Sequence, residues 1–225
     1  MKKPTAIALG LGLALASTTL SAQELSQYEI TITNITQGQT FTPQFVVTHP
    51  SEVFLFRLGD AASEPLEIIA EGGDTSALTD AVANVATDVQ TIGGLLGPGE
   101  TTSIVVNGIP LQGFVSIAAM MIPTNDTFMA MNHVRLPPSG AKMRMVPAYD
   151  AGTEANDQNC ANIPGPRCGG VGYVGDAGDG DEGFIHIGNG FHELGSEDEN
   201  GSEILGPQTY DWRNNVARIT VRYMN

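Results

Sequence analysis

Tyr28-Glu29-Ile30-Thr31-Ile32-Thr33 alternates polar and apolar side chains with period two, the pattern of a strand that buries one face. Arg218-Ile219-Thr220-Val221-Arg222-Tyr223 repeats it near the other end of the 225-residue chain, so strands bracket the domain. Between them, 44–48, 101–107, 113–122, 127–134, 142–148 and 183–187 read as further strands, separated by Gly, Pro, Asn and Asp. A short helix is expected over 65–70, opening on Pro65. A second would be capped by Asp74 and would set Leu78, Val82 and Val85 on one face. The chain has 27 glycines, 13 prolines and only 6% aromatics, which favours a turn-rich protein over a helical bundle. The expected class is therefore all-β, an antiparallel β-sandwich with one or two short helices.

Outward from these strands, the N-terminus reads as an export signal. Lys2 and Lys3 precede an apolar run from Ala6 to Ala16, and Ser21-Ala22 offers a cleavage point, so residues 1–22 are expected to be removed and 23–225 to form one domain. The apolar run is about 11 residues, short of the ~20 that span a bilayer, and no later stretch is long and apolar enough to anchor the product. The expected destination is the periplasm or the outside of the cell. Formal charge is −15, with 25 acidic against 10 basic residues, which excludes a partner held through phosphates and so excludes nucleic acid.

The only two cysteines, Cys160 and Cys168, lie in a turn-rich segment of an exported chain, and a local disulfide is expected. They fall within an acidic, glycine-rich insert at about 156–206. From Asp150 to Glu203 there are 12 carboxylates and one basic residue, Arg167, the composition of solvated loop.

Leu136-Pro137-Pro138-Ser139-Gly140 is a turn signal, and 127–134 with 142–148 reads as a hairpin centred near residue 138. That register sets Asp126 opposite Asp150 at the open end. Facing Cβ atoms of a strand pair are ~4.5–5.5 Å apart, where two carboxylates repel unless protonated, solvated or bridged by a cation. A calcium ion takes six to eight oxygens, and Asn125 and Asp126 on one segment with Asp150, Glu154 and Asn156 on the other supply carboxylates and amides. Gly152 lets the second segment curl.

The same residues resemble a family. Pro123-Thr124-Asn125-Asp126-Thr127-Phe128 together with Tyr149-Asp150-Ala151-Gly152-Thr153-Glu154 is similar to bacterial members of the spondin domain family, the N-terminal module of F-spondin and mindin. Ala70-Glu71-Gly72-Gly73-Asp74 and Asp211-Trp212-Arg213 are similar as well, and the likeness runs from about Tyr28 to Tyr223. The resemblance implies a sandwich related to the calcium- and lipid-binding sandwich of synaptotagmin, a calcium ion at a loop end with aspartate ligands on Asp126 and Asp150, and no catalysis. It further implies adhesion or cell-surface and matrix interaction, with a protein or polysaccharide ligand. Thr127 stands where the animal domains carry Trp. A further acidic ligand from an upstream strand has no signature to mark its position here.

Other chemistries are weighed against this one. Six of the eight methionines lie between 120 and 145, and the hairpin register sets Met129, Met131 and His133 opposite Met143 and Met145. Thioethers with an imidazole suit Cu(I), so a periplasmic copper-binding protein is the alternative. Asp176-Ala177-Gly178-Asp179 lacks EF-hand spacing. His186 and His192 have no third ligand at recognisable spacing, which leaves each a surface or hydrogen-bonding role. Ser139-Gly140-Ala141-Lys142 follows two prolines at a turn rather than opening a helix, and no nucleophile elbow or phosphate loop occurs, so no enzyme is expected.

Overall fold

The computed structural model describes residues 24–173, 180–190, 197 and 204–224. The expected signal peptide, Asp176 to Asp179 and His192 lie outside the described residues. In chain order the elements are β1 (Ser26–Asn34), β2 (Thr40–Phe41), β3 (Gln44–His49), α1 (Glu64–Gly72), α2 (Ser76–Val82), β4 (Asp88–Ile92), β5 (Thr101–Gly108), β6 (Phe114–Ile122), β7 (Thr127–Arg135), β8 (Ala141–Val146), β9 (Ala148–Asp150), β10 (His186–Ile187), α3 (Pro207–Tyr210) and β11 (Ala217–Met224).

Two antiparallel sheets stack face to face. The smaller has the order β5-β1-β11-β8 and the larger β10-β9-β7-β6-β3-β4, with β2 added on β6. The bracketing strands lie side by side, Ile30 opposite Val221 and Ile32 opposite Ile219, so their alternating patterns bury one common face. The run from Phe114 to Ile122 is buried at every position because β6 is covered on both faces. Its odd residues Val115, Ile117, Ala119 and Met121 meet Tyr28, Ile30 and Ile219 between the sheets. Ala118 faces the other way, with Phe45, Val47 and Phe128, onto Leu66, Ile69 and Ala70 of α1 and Leu78 and Val82 of α2. Asp74 accepts the Ser76 N–H at 2.8 Å at the start of α2. Val85 does not join Leu78 and Val82: the helix ends at Val82 and Val85 is exposed.

The expected hairpin between 127–134 and 142–148 does not form. β7 pairs with β6 and β9, whereas β8 pairs with β11 in the opposite sheet. The reason lies in the prolines, which have no N–H to give a ladder. Leu136, fully buried, turns into the space between the sheets as Pro137-Pro138 leads the chain across, and Pro147 splits the second segment and returns it to the first sheet as β9. The resulting register is Thr127 opposite Asp150, one residue away from the expected pairing of Asp126 with Asp150.

Cys160 and Cys168 form the expected disulfide. Both pack against the core between the sheets, and Ile163 inside their loop is fully buried. The acidic insert is thus loop in its described parts, yet Ile163, Ile185 and Leu205 pin it to the sandwich. Replacing both cysteines by serine is expected to cost about 2.5 kcal/mol, from the closure entropy of a loop this short. Urea unfolding of the double variant against the oxidised parent checks this; equal midpoints would mean that the insert holds its shape without the link.

Candidate functional site

Asp126 sits in the turn between β6 and β7, and Asp150 ends β9. The Thr124 hydroxyl organises that turn, accepting the Thr127 N–H and donating to the Met121 carbonyl. Past Asp150 the chain curls through Gly152, and the Thr153 and Glu154 N–H groups donate to Asp126 Oδ2 at 2.7 and 3.1 Å, with the Thr153 hydroxyl at 3.3 Å. Asp126 Oδ1 is buried and has no hydrogen-bond partner, in a residue with 0% exposure. Asp150 Oδ1 accepts the Gly152 N–H and its Oδ2 accepts the Asn156 amide, each at 2.9 Å. Glu154 Oε2 and Asn125 Nδ2 are likewise buried without a partner.

Of the five residues expected from the sequence, Asp126, Asp150 and Asn156 are joined through these segments, and Glu154 and Asn125 interact at their edge. The Asn125 amide faces the Glu154 carboxylate and lowers its pKa, without completing a hydrogen bond. Asp126 and Asp150 interact although they are not directly opposite, because the turn swings the Asp126 carboxylate toward Asp150.

The electrostatics are unfavourable to three free carboxylates. Burial pushes the Asp126 pKa well above the ordinary carboxylate range and the Asp150 charge adds to the push, while the Thr153 and Glu154 N–H groups pull it back. Burial also raises Asp150; the Asn156 amide, the His186 charge and the Gly152 N–H oppose this, and Glu182 adds to it. Glu154 is pushed up to about 7, by burial first and then by the charges of Glu71 and Asp157. Among the described residues no lysine or arginine forms an ion pair with Asp126, Asp150 or Glu154.

Sequence reading missed the contribution of Glu71. It lies in the last turn of α1, 2% exposed, where the carbonyl end of the helix disfavours an anion and the turn itself carries no basic residue. An acidic residue directly before Gly72-Gly73 at a helix end was the available signal. His186 also gains importance, since β10 sets it directly opposite Asp150.

The methionine cluster does not assemble. Met129 and Met131 are buried between the sheets, whereas Met143 and Met145 lie on β8 in the other sheet, 53% and 44% exposed. His133 is stacked between Phe54 and Phe114, at 3.9 and 4.0 Å between ring centroids, with Nε2 2.8 Å from the Ser51 carbonyl. The copper arrangement depended on the hairpin register and falls with it.

A scan against protein-family models finds no match to this chain, and a search of the curated proteins finds none.

Proposed function

We propose that this chain is an exported, non-catalytic calcium-binding module of spondin type, serving adhesion or cell-surface and matrix interaction through a protein or polysaccharide ligand. The observation that carries the reading is a pair of buried carboxylate oxygens without partners, Asp126 Oδ1 and Glu154 Oε2, next to the buried Asp150. An unsatisfied buried polar group costs roughly 1–3 kcal/mol and more if charged, so an occupant is called for. Protons would serve at acid pH. Near neutrality a hard divalent cation serves better, because it offsets several charges at once and accepts only oxygens, which is what the pocket supplies. Glu71, whose charge raises the Glu154 pKa, would add an acidic group from upstream in the chain. The two acidic segments would then be held in one shape for a ligand to read.

The test is thermal unfolding of the parent and of Asp126→Asn in chelator and in calcium. At ten times the dissociation constant the parent is expected to gain about 1.4 kcal/mol, and the variant nothing. In chelator the variant is expected to be at least as stable as the parent, because it removes one of two repelling charges. Unchanged midpoints throughout would reject the reading.

A further inference from the structure

We infer that Asp150, Glu182 and His186 form a second cation site, for a borderline transition metal of the zinc class, on the outer side of the buried carboxylates. His186 faces Asp150 across the β9–β10 pair, and the two segments are locked together by the Gly183 N–H, which donates to the Gly152 carbonyl at 2.9 Å. His186 Nε2 lies 3.5 Å from Asp150 Oδ1 and 3.9 Å from Glu182 Oε2. It is shielded from solvent and makes no hydrogen bond. The other ring nitrogen, Nδ1, is 3.1 Å from the Ile187 carbonyl, which can only accept, so Nδ1 donates there and Nε2 is the ring atom that meets the two carboxylates. That is how proteins commonly orient an imidazole for a metal, with the far N–H fixed on a carbonyl.

Two carboxylate oxygens and one imidazole nitrogen converge on a common point, the donor set of a three-residue metal site with one place left open. All of the ligand atoms are within 4.8 Å of one another. Two ligands each ~2.0–2.1 Å from a tetrahedral ion lie about 3.3 Å apart, so a modest closure from the observed distances would complete the geometry. Asn156 prepares it: one amide nitrogen donates to Asp150 Oδ2 at 2.9 Å and to Glu182 Oε1 at 3.0 Å, which leaves the second oxygen of each carboxylate turned toward His186. Behind Asp150 lies the fully buried Asp126 with its unpartnered Oδ1, so the ligand set stands in a region short of positive charge. His186 and Glu182 side chains are 24% and 32% exposed, which provides an entry path and room for a water in the fourth position.

The imidazole separates this site chemically from the all-oxygen pocket. Calcium does not favour nitrogen, whereas zinc, cobalt and nickel do. The proposal shares Asp150 with the calcium reading but does not require calcium to bind. Sequence spacing hid it because Asp150 and His186 are 36 positions apart and become neighbours only through strand pairing.

The experiment is calorimetric titration of the tag-free chain, stripped of metal, with zinc and separately with calcium, plus the visible absorption of the cobalt(II) form. The parent is expected to take up one zinc and to show tetrahedral cobalt bands. His186→Gln and Glu182→Gln are each expected to weaken zinc more than tenfold and to leave the calcium response in place. Asp126→Asn is expected to keep zinc and lose calcium. Glu182 is an exposed loop residue, so its variant reports on binding even if the histidine variant folds poorly. Zinc binding that is absent from the parent, or equal in the parent and both of these variants, overturns the proposal. Loss of the calcium heat alone in the parent would sink only the calcium reading.

Discussion

Stripped of divalent cations, the protein is expected to lose roughly 2–3 kcal/mol of stability between about pH 5 and about pH 8 through Glu154 alone, with Asp126 adding in the same direction. The sign follows from which state holds its protons longer. Below the ordinary carboxylate range both the unfolded and the folded chain are protonated at these positions, and the contribution is fully present. As pH rises, the unfolded chain releases its protons first, while burial keeps those of the folded chain on Glu154 up to about 7 and on Asp126 in the same upward direction. Folding therefore weakens through that window. Calcium should reverse the trend, because an ion in the pocket makes the ionised form the stable one. The two curves are expected to converge near pH 5, where protons compete, and to diverge most above pH 7. Urea midpoints at intervals across the range, in chelator and in calcium, decide it. Parallel curves would show that these carboxylates are solvated in solution and that neither protons nor cations are needed there.

Much of this architecture was legible from alternation alone. The strands at 28–33 and 218–223 needed no tertiary information, because their period states which face is buried, and they are in fact partners. The connection between β7 and β8 was misread for an identifiable reason. A Pro-Pro-Ser-Gly turn between two strands is compatible both with a hairpin and with a crossing to the opposite sheet, and the choice is made by the burial of Leu136 and by Pro147. β4 escaped notice because, paired along one side only, it is half exposed and shows little contrast.

The site divides along the same line. Asn125, Asp126, Asp150, Glu154 and Asn156 lie in two short segments whose composition marks them. Their proximity survives the change of register because the turn before Thr127 is tight enough to keep Asp126 against the segment after Asp150, the Ala151 N–H reaching the Asp126 carbonyl at 3.2 Å. Glu71 comes from a helix end, and Glu182 and His186 from a loop and the short strand β10 far along the chain. No local spacing rule reaches them, and only packing brings them to the other carboxylates.

Gly152→Ala is expected to cost about 3 kcal/mol and to abolish the responses to calcium and to zinc together. Gly152 has φ +67°, a conformation that costs a side-chain-bearing residue about 1 kcal/mol. The larger effect is contact. A Cβ at this position would stand 2.3 Å from the Phe184 carbonyl oxygen and 2.9 Å from both the Phe184 carbonyl carbon and its nitrogen, all backbone atoms that cannot swing aside. The 183–186 segment would have to retreat, giving up the Gly183 to Gly152 hydrogen bond and the pairing of His186 with Asp150, at about 1 kcal/mol for each bond lost. Gly140→Ala separates the two causes, since Gly140 has φ +63° but a Cβ there meets nothing within 4 Å. That variant is expected to lose only the conformational ~1 kcal/mol and to bind both ions as the parent does. Urea unfolding in chelator with both titrations on each variant makes the comparison. If Gly152→Ala lost no more than Gly140→Ala and kept both ions, the two segments would not be positioning the carboxylates for each other, and the cation sites would have to be built without that junction.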